Sequence, residues 1–266
     1  MALSVKIGTI QTPTVTGNKA ETGVGFQPKF LLLFGGPLNN ADGNSVDFRA
    51  GIGAAASSTS RGEVCGTARD ALARSDDNRS LASTVCYRMM SSALTVVLSA
   101  DFVSFDADGF TLNWITVNGA ARQLFYLALG GTDFTNAKVG VSDSGTVTGN
   151  LAVTGVGFQP DLVMFLGNIT NTIVEGQYAS GAIAFGAARS STERWTNAWF
   201  GSDNVVTMDE NRRQSISRCF FRLNTAGAPI HEYDFVSMDT DGFTVNRITA
   251  PGTSTRVIYV ALKGTY

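Results

Sequence analysis

The chain nearly repeats itself, and that constrains its fold more than any other feature. Residues 14–28, TVTGNKAETGVGFQP, return at 146–160 as TVTGNLAVTGVGFQP with 13 of 15 positions identical. Residues 101–116, DFVSFDADGFTLNWIT, return at 234–249 as DFVSMDTDGFTVNRIT with 12 of 16 identical. The offset is 132 for the first block and 133 for the second. Between them GAAASSTSR (53–61) falls on GAARSSTER (186–194), Cys86 on Cys219, and FYLALGGT on IYVALKGT, anchored by Tyr126 and Tyr259. A period of this length exceeds any solenoid unit and suits a whole domain. The expectation is two domains, 1–133 and 134–266, related by internal duplication and joined only through Asp133 to Asn136.

The pattern within each copy is β. Phe30 to Phe34 and Leu162 to Leu166 are short apolar runs bounded by Pro and Gly, as buried strands are. GFTLNWITV alternates apolar and polar residues, and Asp108-Gly109 and Asp241-Gly242 mark hairpin turns. Only 68–78 could hold a helical turn. The Gly, Ser and Ala-rich stretches near 36–65 and 169–200 read as extended loops or irregular edge strands. The fold predicted is all-β: two tandem antiparallel β-sandwiches with about seven to nine strands each.

Composition narrows the functional classes. Charged residues are only 16%, and 20 Lys+Arg face 22 Asp+Glu for a net charge of −2. Phosphate-driven binding to nucleic acid calls for a basic excess that is absent here. No apolar run approaches the ~18 residues of a membrane helix, and MALSVKIGTIQTPT does not read as a signal peptide. Cys65, Cys86 and Cys219 form an odd set without close spacing, read as reduced core thiols of a protein made in a host cytoplasm.

The order GVGFQPKF, then DFVSFDADGFTLN, then FYLALGG occurs in both copies. It resembles β-sandwich modules in structural proteins of tailed bacteriophages, and its spacing is similar to H-type-lectin-like sandwiches of tail fibres. The resemblance implies a location in the virion and work through assembly with other virion proteins, as head decoration or tail component. No sugar-binding residue carries over position by position.

The motifs that could carry chemistry are thin. DADG (106–109) and DTDG (239–242) look like the start of a calcium loop, but no bidentate acid follows and an Asp-Gly turn explains them. His231, the one histidine, falls on Leu98, so a shared scaffold does not require it and alanine there should be tolerated. No nucleophile elbow or zinc-ligand spacing accompanies it. We therefore expect no catalysis, no cofactor and no metal. The positions that differ between copies carry the binding expectation instead. Trp114, Trp195 and Trp199 stand where the other copy has Arg247, Gly62 and Gly66. Trp195 and Trp199 share one strand face with Asn197, a platform for a protein contact, a surface glycan or local packing. Arg212 and Arg213 open the basic stretch 211–222, read as a solvated strand face or as subunit salt bridges. All five are candidate contact residues of a homo-oligomer, three chains being the first expectation because they would set six similar domains round an axis.

Overall fold

The computed structural model describes residues 2–36, 47–69, 72–91, 94–168, 172–207 and 209–265. These residues form twenty-one strands and no helix. In the first half these are β1 (Leu3–Gln11), β2 (Gly17–Thr22), β3 (Pro28–Gly35), β4 (Phe48–Ser57) and β5 (Ser60–Ala68). They continue as β6 (Asp77–Ala82), β7 (Tyr87–Met90), β8 (Val96–Asp106), β9 (Gly109–Thr116) and β10 (Gln123–Gly131). The second half begins with β11 (Phe134–Asp143), β12 (Gly149–Thr154), β13 (Leu162–Gly167), β14 (Gly176–Ala179), β15 (Gly181–Ala188) and β16 (Arg194–Gly201). It ends with β17 (Glu210–Ser215), β18 (Phe220–Leu223), β19 (Pro229–Asp239), β20 (Gly242–Thr249) and β21 (Arg256–Gly264).

Both halves use one strand order. The large sheets run β1-β10-β3-β4-β5-β6 and β11-β21-β13-β15-β16-β17; the small sheets run β2-β9-β8-β7 and β12-β20-β19-β18. Pairing is antiparallel, and the two edges are joined with matching register: Ile7 opposite Leu127 in one, Val139 opposite Val260 in the other. Each half thus holds more strands than the seven to nine expected from the sequence. The reason lies in the Gly/Ala-rich stretches, which form the regular strands β4, β5, β15 and β16 instead of loops. A Cβ at Gly53 would lie 1.8 Å from the Cys86 carbonyl oxygen, and one at Gly186 would lie 1.9 Å from that of Cys219. Here the two sheets of each sandwich meet backbone to backbone, so only the smallest residue fits. Residues 70–71 of the expected helical turn, and 37–46 and 169–171 of the supposed loops, lie outside the described residues.

Each sandwich has its own core, Leu31, Leu33, Phe102, Phe110, Leu112 and Tyr126 in the first, Val163, Phe165, Phe235, Phe243, Val245 and Tyr259 in the second. The edge-on ring pair Phe110–Tyr126 (5.2 Å, 77°) has its match in Phe243–Tyr259 (5.4 Å, 76°). A third core lies between the two large sheets, where Phe30, Val64 and Leu81 meet Leu166, Ile258 and Val260. The alternation of a strand explains both: on β3, Leu31 and Leu33 point into the sandwich while Phe30 and Leu32 point to the other half. The result is four stacked layers whose inner two are apolar on both faces, which is why these strands read as continuous apolar runs.

The junction is also tied by polar groups. Ser60 Oγ accepts the Val139 N–H at 2.7 Å and donates to the Val139 carbonyl at 3.0 Å. Asn168 Nδ2 donates to the carbonyls of Cys65, at 3.0 Å, and Ser80. Glu175 accepts the N–H and hydroxyl of Ser83 at 2.7 and 2.8 Å. Finally β14, from the second half, pairs with β6 of the first, Gly176 opposite Leu81 through Ala179 opposite Asn78. The large sheet of the first half therefore has seven strands, one of them contributed by residues beyond 133.

Candidate interaction surfaces

The DxDG acids are fully engaged. Asp108 accepts the N–H groups of Gly23 (3.0 Å) and Gly25 (2.6 Å), and Asp106 accepts the hydroxyls of Ser104 and Thr111, both at 2.7 Å. Asp241 does the same for Gly155 (3.0 Å) and Gly157 (2.6 Å), and Asp239 for Ser237 and Thr244. Those amide contacts hold the Asp241 carboxyl below the usual range. The two best-repeated motifs, TGVG and DxDG, are thus the two sides of one turn-to-turn contact.

The five candidate residues fall in three different environments. Trp114, expected at a contact surface, is fully buried inside the first sandwich. Its Nε1 has no acceptor among the described residues. In the second half Arg247 takes that place and turns its guanidinium to the carbonyls of Ser144 (2.9 Å) and Gly149 (3.2 Å). Divergence between the halves here reflects two ways to close a sandwich end, not an outward contact. Trp199 lies at the junction of the halves, its ring 5.0 Å from Phe48 and pressed on Gly181. Trp195 remains 45% exposed, its ring 5.2 Å from that of Phe185.

On the face that Trp195 shares, the register sets Asn197 opposite Gln214 and Trp199 opposite Arg212. Trp195, Asn197, Gln214, Ser215, Ile216 and Ser217 line a shallow open groove there. Arg212 and Arg213 are exposed, the latter with its guanidinium 5.6 Å above the Phe221 ring. The remainder of the basic stretch turns inward: Arg218 approaches Glu232 (3.8 Å) and Asp234 (3.9 Å), and Arg222 is buried.

A second face was not legible in the sequence. The layers are staggered: β4 and β5 lie against β11, and β5 and β6 lie against β15. This covers β11, where Val139 is 2% exposed, but leaves the matching edge of the first half bare. There Ile7 is 73% exposed and Val5 52%, beside the exposed Leu3, Phe34 and Phe125. The rings of Phe34 and Phe125 stack at 5.9 Å. At the other end of the stack the outward face of β16 and β17 is open around Trp195, Asn197 and Gln214, while at Trp199 it is already covered by the first half.

Three buried titratable groups matter for stability. Glu63 is fully buried, 3.3 Å from the Arg88 guanidinium, with the Ser80 hydroxyl at 3.2 Å; burial outweighs both and pushes its carboxyl up to about 7. Asp77 has no donor to either carboxylate oxygen among the described residues, and burial, then Glu210, Asp203 and Asp76, push it up to about 7. His231 is buried between the Phe220 and Tyr233 rings, and burial, then Arg222 and Arg247, hold its imidazole well below the usual range. Because it is packed on all sides, alanine there would open a hole, contrary to the tolerance inferred from Leu98; leucine is the neutral replacement. The three thiols are free and buried, and Cys65 is pushed up to about 12 by burial and by Glu63.

These shifts have signs that can be worked out. The raised carboxyls keep their protons longer in the folded chain, so their contribution is full below about pH 4.5 and is lost as pH rises through about 7. The lowered imidazole acts oppositely: stability is lost as pH falls through 6.5, where the unfolded chain takes up the proton. In a His231→Leu variant only the carboxyls remain. Urea unfolding of that variant should show stability falling by at least about 2 kcal/mol from pH 5 to pH 8, the share expected of Glu63 alone, with Asp77 adding in the same direction. A rise over that range would refute the assignment.

No protein-family model matches the chain, and no curated protein matches it.

Proposed function

We propose that the chain is a non-enzymatic structural protein of a bacteriophage virion, a head decoration or a tail or fibre component that acts through protein–protein assembly. The observation that carries this reading is the bare edge of the first half. The same sheet face is buried beneath the other half at Val139 and lies open at Ile7 and Val5. An open sheet face of several large apolar side chains is a contact surface awaiting a partner. The resemblance of the GFQP…DADGF…YLALGG modules to phage structural sandwiches supplies the setting. Light scattering of the purified protein should report an oligomer, three chains being the first expectation. A strict monomer at high concentration would remove the basis of the proposal, and imaging of a particle by cryo-EM would place the protein in head or tail.

The groove at Trp195 favours a second reading, a carbohydrate-binding fibre module. An exposed indole can stack on the face of a sugar ring while the Asn197 and Gln214 amides bond its hydroxyls. Quenching of tryptophan fluorescence by a glycan, lost in Trp195→Ala, would support it.

A further inference from the structure

We infer that the two uncovered faces are the two sides of one joint: the β1–β10 face of one chain seats on the β16–β17 face of the next, head to tail. The inference rests on the assembly reading and names its partner, a second copy.

The internal joint supplies the argument. It sets β5 of the first half on β11 of the second, and Gly62 on β5 packs so close to Ile258 on β21 that a Cβ there would lie 2.8 Å from the Ile258 side chain. In the second half the strand corresponding to β5 is β16, and in the first half the strands corresponding to β11 and β21 are β1 and β10. Each of these strands keeps an uncovered part, at Ile7 and Phe125 in the first half and at Trp195 and Asn197 in the second. A contact in which β16 of one chain meets β1 of another therefore repeats the β5–β11 strand match of the internal joint, which takes the outward sheet face of both halves but non-equivalent strands of it, and a match of that kind runs head to tail.

The side chains fit that role without copying the internal joint. Trp195 occupies the place of Gly62, and Phe125 the place of Ile258, so an aromatic pair replaces a tight aliphatic contact. Val64 and Leu81, buried between the halves, are matched by Asn197 and Gln214 on the open face. Amides there keep the free chain soluble, and an aromatic anchor within a polar rim is the make-up of an interface that forms between separately folded partners. Ile216, 87% exposed beside Trp195, adds apolar surface to the same side.

Two charge substitutions test the joint. Ile7→Asp spoils one side and Trp195→Asp the other, with Ile216→Asp as a second variant of the latter side should Trp195→Asp unfold. Each folded variant alone should run at the mass of one chain in light scattering. An equimolar mixture of Ile7→Asp with either partner variant should give a species of two chains and nothing larger, because one good joint remains. Self-association of Trp195→Asp and Ile216→Asp at the wild-type mass would overturn the head-to-tail joint while leaving the assembly reading intact. So would a mixture that stays monomeric beside an oligomeric wild type. A monomeric wild type would overturn both.

Discussion

Alanine in place of Gly186 is expected to destabilise the chain by about 4 kcal/mol or more, and Gly53→Ala to do the same in the other half. The methyl group would occupy space already held by the carbonyl oxygen of Cys219 or Cys86, at 1.9 and 1.8 Å. Neither obstacle is a flexible side chain that can swing aside. Both are backbone atoms of a strand-entry segment fixed by hydrogen bonds: the Cys219 N–H to the Tyr233 carbonyl, and the Cys86 N–H to the Ala100 carbonyl, each at 3.0 Å. Accommodation would require the large and small sheets to separate, which loosens the aromatic contacts throughout the core. Urea unfolding monitored by tryptophan fluorescence would read the loss. Either variant within 1 kcal/mol of wild type would show that the sheets do not touch there.

The second large effect is expected from Trp114→Ala, at about 3–5 kcal/mol. The side chain is fully buried among Leu112, Leu98 and Tyr87, and its removal leaves a hole that fixed neighbouring strands cannot fill. Arg247→Ala, at the matching position, should cost much less, because the Arg247 side chain is only half-buried and bonds the Ser144 and Gly149 carbonyls at the sandwich end instead of filling a core. Chemical denaturation of both variants gives the comparison. Equal losses would contradict the assignment of Trp114 to the core.

These two residues also mark where the sequence could and could not be read. The strand character of the repeat blocks, the Asp-Gly hairpins and the buried thiols follow from alternation, turn chemistry and spacing, which are local properties. The strands β4 and β15 escape because their inward residues are glycine and alanine, and their partners β5 and β16 because small and polar residues such as Glu63, Thr67, Thr196 and Ala198 stand on their inward faces. Contact between backbones replaces contact between large side chains there, so no hydrophobic period is left to detect. Trp114 is misleading in the sequence because a difference between the copies reads as a difference in outer partners, whereas the two sandwiches close the same corner by different means. The spacing of Trp195 and Trp199 puts both on one strand face, but only the packing of the halves decides that Trp195 stays exposed while Trp199 is taken into the junction. The bare β1–β10 edge is not legible either: LSVKIGTIQ and FTNAKVGVSD alternate alike, and only the stagger of the layers decides which is covered.

The pairing of β14 with β6 sets an order on biosynthesis. Residues 78–81 find their edge partner only about a hundred positions later in the chain. A ribosome that has released the first 133 residues has therefore released a sheet whose rim is still an open template. The rim is capped only when Gly176–Ala179 emerges, and long-range closure of this kind is slow. On a crowded polysome the nearest copy of that four-residue cap can belong to a neighbouring nascent chain. Strand exchange between chains made side by side is thus available to this protein before either chain is finished.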